Sequence, residues 1–490
     1  MQKKDQKRMP LLEAMKHYAE QSVSVFDVPG HKRGKGVPLL SDYYGADLMR
    51  MDTNSSPILD NVSHPTGVIK EAQELLADAY GADAAFFITN GSTTAIHAML
   101  MATLSPGDKV LMPTNIHKSA LNGLILCGGI PVYVKPEICP EEGLTKNVSF
   151  NAVQNKLDEQ PDIKAIFILN PTYFGYVADL KKIAHLCHER DVLLLTDEAH
   201  GAHFPFHSAL PASSMTCDAD ISSISMHKTG GALTQASALL VRGSRINVNH
   251  VQQVINMLQS TSVSYLLMGS LDGARHHLTQ NGQKQLETTL KLSHLARHML
   301  EEIPGISVAY EKHFFDPTKL NINVSKLSLT GFQVYEQLWK NHNVQMELCE
   351  TNHVLAVISL GDTEKDILHL VKAIKEIAGA SPLLTQNKDR LLSQNLDVPV
   401  IGMAPRDAYF SEKELVPLDF AKGRIAGESI MAYPPGIPIV SPGELITESM
   451  INTLKDLKKK DAFIVDQIDQ NLDNILTIKE PEPKGVETYA

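Results

Sequence analysis

Between residues 84 and 241 the chain repeats one pattern: a short apolar run, then a stretch with apolar residues at helical spacing. The runs lie at 84–88, 109–112, 130–134, 164–169, 192–196, 221–225 and 236–241. Each is too short for a helix and nearly continuous in apolar residues, which predicts strands buried on both faces. Helical spacing fills most of the intervals. At 93–104 it puts Ala95, Ile96, Met99 and Leu100 inward, and at 179–189 Leu180, Ile183, Ala184 and Cys187. Strands alternating with helices predict an α/β fold whose mainly parallel, seven-stranded sheet is covered on both faces. The last two runs leave no room for a crossover helix, so that pair is expected to be antiparallel or joined by a loop.

Outside this region the pattern predicts a helix over 11–20, a Gly/Pro-rich loop from Val28 to Gly36 and a helix over 67–80. Helical spacing continues through 246–303. Residues 306–378 alternate again as a smaller α/β unit, with strands near 306–309, 319–324 and 354–358 and helices at 331–340 and 363–377. A polar linker is expected at 380–396, then a third piece ending near Tyr433-Pro434-Pro435-Gly436-Ile437-Pro438, then a disordered tail from Lys479. The expected division is an N-terminal segment 1–60, a large domain 61–305, a small domain 306–380 and a C-terminal domain with tail 381–490.

A chain of 490 residues with 43% hydrophobic content and 21% charged residues suits a multidomain globular protein. The net charge of −11 argues against nucleic acid or an anionic membrane surface as the main partner. Five scattered cysteines without a Cys-x-x-Cys pair argue against a disulfide framework or a structural zinc site. No run of apolar residues reaches membrane-spanning length, and the basic N-terminus lacks the apolar core of a signal peptide. A cytoplasmic protein is expected.

The candidate chemistry sits at strand ends, where open α/β sheets bind ligands. Gly91, Ser92 and Thr93 open a helix after the first strand, and amides there with nearby hydroxyls can cradle a phosphate; the same residues are also an ordinary N-cap. His117 follows the second strand and can lie on an aromatic cofactor ring, or can simply start a helix. Asp197 ends the most apolar strand, and Ala199 beyond it is small enough to sit behind such a ring. Lys228 follows the next strand in Ser225-Met226-His227-Lys228, where Ser225 and His227 can donate to a phosphate. A lysine amine that condenses with an aldehyde, plus an acid for a pyridine nitrogen, is what pyridoxal phosphate needs. A metal on His200, His203, His207 and Glu198 is the competing reading; Gly201 and Pro205 spoil the helix it would need, and no metal is expected.

Several runs resemble fold type I pyridoxal phosphate enzymes, and among them the bacterial Orn/Lys/Arg decarboxylase family. They are Pro29-Gly30-His31-Lys32, His64-Pro65, Asn90-Gly91-Ser92-Thr93, His117-Lys118-Ser119, Asp197-Glu198-Ala199-His200-Gly201, Ser225-Met226-His227-Lys228-Thr229 and Tyr433-Pro434-Pro435-Gly436. The resemblance spans nearly the whole chain. It implies that Lys228 holds the cofactor, Asp197 its ring nitrogen, His117 its ring face, and Ser92, Thr93, Ser225 and His227 its phosphate. It places His200 near the substrate carboxylate or the reacting carbon. It also implies a homodimer with sites at the interface, where the Pro29–Lys35 loop is expected to reach the neighbouring site. The short form, without the N-terminal domain of enteric members, is the better match and leans toward polyamine synthesis.

The expected reaction is decarboxylation of a basic L-amino acid, arginine first, then lysine or ornithine. Glu428 and Asp60 are candidates for the distal cationic group, and Arg406 and Arg424 for a carboxylate; all four also read as surface or structural pairs. Two alternatives stay open: another reaction of the same cofactor, such as transamination or elimination, and a non-catalytic protein that kept the fold.

Overall fold

A computed structural model describes residues 4–384, 398–432, 436–459 and 464–479. Tyr433-Pro434-Pro435, most of the expected linker and most of the expected tail lie outside the described residues.

The apolar runs form β1 (Ala84–Ile88), β2 (Lys109–Pro113), β3 (Ile130–Val134), β4 (Ile163–Leu169), β5 (Leu193–Glu198), β6 (Ile221–Ile224) and β7 (Ser237–Val241). They make one seven-stranded sheet in the order β1-β7-β6-β5-β4-β2-β3. The neighbours from β3 to β6 pair in parallel. Strand β7 runs antiparallel to both β6 and β1, as the short link before it requires.

Each strand is apolar on both sides because each side meets a separate core. Phe87, Leu111, Ile166, Ile168, Leu194 and Leu240 face one cluster; Phe86, Val110, Met112, Phe167, Leu195 and Leu239 face the other. The helices Gly91–Thr103, Lys118–Cys127 and Val248–Leu258 cover the second face. Pro10–Glu20, Val68–Tyr80, Phe150–Glu159 and Leu180–Glu189 cover the first. The helices Pro38–Tyr44 and Ala46–Met51 carry no apolar stripe, with Met49 their one buried residue, so periodicity does not reveal them.

The helix Tyr265–Glu301 has 37 residues, about 55 Å of rise. Its first half packs Met268, Leu271 and Leu278 into the large core, and its last turns give Leu292, Ala296 and Leu300 to a third core. In that first half Asp272 and Arg275 pair, fully buried. Asp272 accepts the amides of Leu11 and Leu12 at 3.0 and 3.3 Å, and Arg275 donates to the carbonyls of Gln6 and Arg8. The N-terminal segment is thereby fastened to the long helix.

The third core belongs to a smaller sheet of β8 (Ser307–Val308), β9 (Lys319–Asn323), β10 (Leu348–Cys349) and β11 (His353–Val357), all antiparallel, in the order β10-β11-β9-β8. Helices Gly331–His342 and Glu364–Gly379 cover one face. The other face of β9 is polar and buried, and it meets the large domain. Asn321 donates to the carbonyl of Phe174 at 2.7 Å, and Asn323 donates to Glu142 at 2.6 Å. The C-terminal piece has two short sheets, Lys413–Pro417 with Asn474–Ile478, and Ile430–Ala432 with Ile437–Val440 and Ile464–Val465. It docks on the helix Lys118–Cys127 through Lys118–Asp466 at 3.1 Å.

Candidate active site

Strands β1, β2, β5 and β6 bring four motifs to one edge of the sheet. Asp197 is paired in register with Leu169 on β4 and Ser223 on β6. Its Oδ1 accepts the amide of Ala199 at 3.1 Å. Burial pushes Asp197 up from the usual carboxylate range, and the nearby Lys228 amine opposes that. Just beyond β6 the chain makes a single helical turn, Met226–Thr229, which carries Lys228. Burial pulls Lys228 down, with Asp197 and then Glu347 acting against it. Lys228 Nζ lies 3.0 Å from Nε2 of His200 and 5.4 Å from the centre of the Tyr173 ring. The Tyr173 ring leans on His200, with centroids 4.5 Å apart.

His117 caps the helix Lys118–Cys127. Its Nδ1 accepts the amide of Ser119 at 3.2 Å, so the ring proton sits on Nε2. Burial, then the charges of Lys228 and Lys118, pull it down to about 4. A neutral, flat imidazole is thus held beside the lysine over the whole physiological range.

The polar groups here include several without partners. The hydroxyls of Ser223, Ser225, Thr229 and Ser237 are buried with no hydrogen bond among the described residues, although buried hydroxyls normally find one. Four orphans around one lysine turn suit a bound polar group. Across from them Asn90 leaves the start of Gly91–Thr103 without a side-chain cap. Gly91 has φ +74 and spends its own amide on Gln235, so the amides after it stay free as donors. Ser92 is half-buried and Thr93 exposed at this helix start. His227 donates from Nδ1 to the carbonyl of Ala236 at 3.2 Å, which leaves only Nε2 for any further contact. These groups fit a phosphorylated aldehyde cofactor: an amine, an acid for a ring nitrogen, a neutral ring and unpartnered phosphate donors.

The candidate metal set is dispersed. Glu198 accepts from Asn170 at 2.9 Å, the Ser214 amide at 2.8 Å and Ser222 at 3.2 Å. His207 contacts Glu287 at 3.0 Å, and His203 lies 3.5 Å from Asp316.

The four residues put forward for substrate charges are engaged elsewhere. Both carboxylate oxygens of Glu428 accept backbone amides, from Ile468 at 2.7 Å and Leu476 at 2.5 Å. Asp60 caps the helix Val68–Tyr80, accepting the amides of Gly67 at 2.7 Å and Ile69 at 3.2 Å. Arg424 pairs with Glu414. Arg406 donates to the carbonyl of Leu126 at 2.9 Å, at the far end of the ten-residue helix that His117 caps, about 15 Å along its axis.

One residue that sequence reasoning passed over stands in the middle of the site. Lys319 on β9 is fully buried, and its Nζ lies 3.0 Å from Nδ1 of His200. Its only signal is the alternation Lys319-Leu320-Asn321-Ile322-Asn323, and polar alternate positions on a strand ordinarily mean a solvent face. Tyr173 had no local signal at all.

Comparison with known proteins gives the family of the chain. The family model described as Orn/Lys/Arg decarboxylase, major domain, matches residues 9–311, and that of the C-terminal domain matches residues 388–464. The chain is 39% identical to an arginine decarboxylase of Halalkalibacterium halodurans over 97% of this chain and 99% of that one. It is 40% identical to an arginine decarboxylase of Bacillus subtilis over 97% of this chain and 99% of that one. In fold it is similar to a crystal structure of a lysine decarboxylase of Francisella novicida, with a TM-score of 0.84 at 20% identity, covering 96% of this chain and 81% of that one. Matched along nearly its whole length, the chain belongs to the Orn/Lys/Arg decarboxylase family, enzymes that remove the carboxyl group of basic amino acids.

Proposed function

We propose that the protein is an arginine decarboxylase that uses pyridoxal phosphate held on Lys228 and releases agmatine and CO₂. The observation that carries this reading is the convergence of Lys228, Asp197 and His117 from three strand ends, beside four unpartnered hydroxyls. Arginine is favoured over lysine and ornithine because the full-length relatives at 37–40% identity are named arginine decarboxylases.

The cofactor, when bound, supplies the electron sink for the carbon–carboxylate bond. Asp197 would hold a proton on the ring nitrogen; it is buried and, among the described residues, hydrogen-bonded only to the Ala199 amide, so an opposite charge beside it is stabilising. His117, neutral and fixed by Ser119, would flank the ring without competing for that charge. Ser92, Thr93, Ser225 and the helix-start amides would take the phosphate, with Nε2 of His227 at hand; Ala199 leaves room behind the ring. His200 sits within hydrogen-bond reach of Lys228 Nζ and can pass or receive a proton there, which makes these two the candidates for reprotonating the product carbon.

The substrate's distal cation needs an acid that the chain does not already use. Glu347 meets that description better than Glu428: it is exposed, and its charge reaches Lys228, His227 and Lys319. The exposed apolar side chains Phe26, Val28, Leu39, Tyr43 and Tyr44 near the Pro29 loop suit burial in a homodimer. A cytoplasmic location is part of the same proposal. Parallel assays of CO₂ release from arginine, lysine and ornithine with added cofactor test the substrate. Faster release from lysine or ornithine overturns the choice of arginine, and no release from any of the three overturns the function.

A further inference from the structure

His200 touches two lysines, one at each ring nitrogen. Lys228 Nζ is 3.0 Å from Nε2, and Lys319 Nζ is 3.0 Å from Nδ1. A neutral imidazole has one N–H and one lone pair, whereas an ammonium group has three donors and no acceptor. Two ammonium groups therefore cannot both bond to one neutral ring. The ring does not escape by becoming imidazolium: burial and both lysines hold its proton affinity well below the ordinary value. One lysine donates to His200, and the other accepts from it as a free amine.

The surroundings decide which. Lys319 is fully buried, with Asp316 three residues before it in the same turn. Against the effect of burial, Asp316 is held toward its ionised form by His203 at 3.5 Å first, then by the field of Lys319 and by Thr318, whose amide and hydroxyl its Oδ1 accepts at 2.9 and 2.7 Å. The stem of Lys319 is confined as well: a Cβ on Gly175 would come within 2.9 Å of its Cγ. The counter-charge of Lys228 is Asp197, which burial drives toward its neutral form. The firmer negative charge is thus on the Lys319 side.

We propose that Lys319 is a positioning residue: its ammonium donates to Nδ1 of His200, fixes the ring proton on Nε2, and so leaves Lys228 as the free amine that accepts it. A lysine with a lone pair is what condensation with an aldehyde needs. This rests on the assignment of Lys228 as the cofactor lysine. The groups that face the relay are Asp197, His117, His227 and Tyr173 from the large domain and Asp316 and Glu347 from the small one.

The test is trace acetylation of the full-length protein freed of cofactor. Of the two forms of a lysine, acetic anhydride acylates only the unprotonated amine, and the Lys228 peptide is quantified by mass spectrometry from pH 6 to 11. In the unchanged protein Lys228 reaches half-reactivity below the ordinary lysine value of about 10.4. Lys319→Met raises that midpoint by about one pH unit, which is roughly tenfold less labelling at pH 8. Lys319→Arg restores most of it. In a His200→Phe background, adding Lys319→Met changes the midpoint by a small fraction of that shift. An unchanged midpoint in a folded Lys319→Met protein overturns the proposal. So does an equal shift with and without His200, which means a bare field effect. If Lys319→Met does not fold, His200→Phe alone decides: Lys228 loses its N–H donor and its midpoint rises, and a midpoint that stays put rejects the relay. The labelling needs no turnover, so a preference for another amino acid does not disturb it.

Discussion

Asp197 and Glu198 are consecutive residues of β5, and they point to opposite faces of the sheet with opposite duties. Asp197 faces Lys228, whereas Glu198 is walled in by Asn170, Ser214 and Ser222. Burial pushes Glu198 up to about 8. Its value in the unfolded chain is about 4.3. The folded state therefore binds the extra proton between these two values, and the stability from it is present at low pH and lost as pH rises toward about 8. Glu198→Gln keeps the neutral form and flattens that slope by ~1 kcal/mol per pH unit. Urea midpoints at pH 5, 6.5 and 8 read it directly; parallel profiles for the two proteins rule it out.

Lys228→Ala removes the amine that fixes the cofactor. The visible absorbance of lysine-linked cofactor disappears and turnover falls to background, while the fold persists because, among the described residues, the Lys228 side chain contacts only His200 and the Tyr173 ring. Retention of the band sinks the assignment.

Asp197→Asn is close in shape and removes the charge. A drop in kcat of about 100- to 1000-fold is expected, the range for losing one preorganised electrostatic group. Cofactor affinity, measured by equilibrium dialysis, weakens with it. Activity within a factor of about three of the unchanged protein contradicts the role given to Asp197.

Gly201→Ala probes the fit behind His200. A Cβ there meets the carbonyl oxygen of Asn170 and Cγ of Glu198, each at 2.7 Å, and Phe204 at 3.0 Å. Overpacking of this kind costs about 1–3 kcal/mol. Because Gly201 adjoins His200, activity falls further than the thermal midpoint implies. A variant that loses stability with kcat intact shows the strain relaxing away from the site.

Arg275→Met leaves Asp272 as a buried carboxylate with only the Leu11 and Leu12 amides. Breaking one side of a buried pair costs roughly 3–5 kcal/mol. Limited proteolysis should then cut first before Pro10, since Gln6 and Arg8 lose the guanidinium that holds their carbonyls. Equal protease resistance in the two proteins disproves the fastening role.

Most of the large domain was readable from its residues. The strands carrying Asp197 and Lys228 have an apolar core on each side, so their runs are continuous and their ends are sharp. Lys228, Asp197 and His117 stand out by their position at those ends, and His200 through the family resemblance. Lys319 does not, because its importance depends on a contact made 119 residues away in sequence, with His200. The acids proposed for the substrate were hard to read for a related reason. An isolated acid such as Asp60 or Glu428 looks the same in sequence whether it awaits a ligand or caps a backbone, and here both are bound to amides. The C-terminal sheets are short and only partly buried, so no clear period marks them.

Strand β9 divides its positions by parity. Lys319, Asn321 and Asn323 reach across to His200, Phe174 and Glu142, while Leu320, Ile322 and, one residue past the strand, Val324 fill the small core. A slip of one residue would exchange the two sets, driving leucine and isoleucine against polar partners and two asparagines and a lysine into oil. The strand therefore admits one alignment. Substitution at its even positions should register in the melting of the small domain, and substitution at its odd positions in the chemistry of the large one.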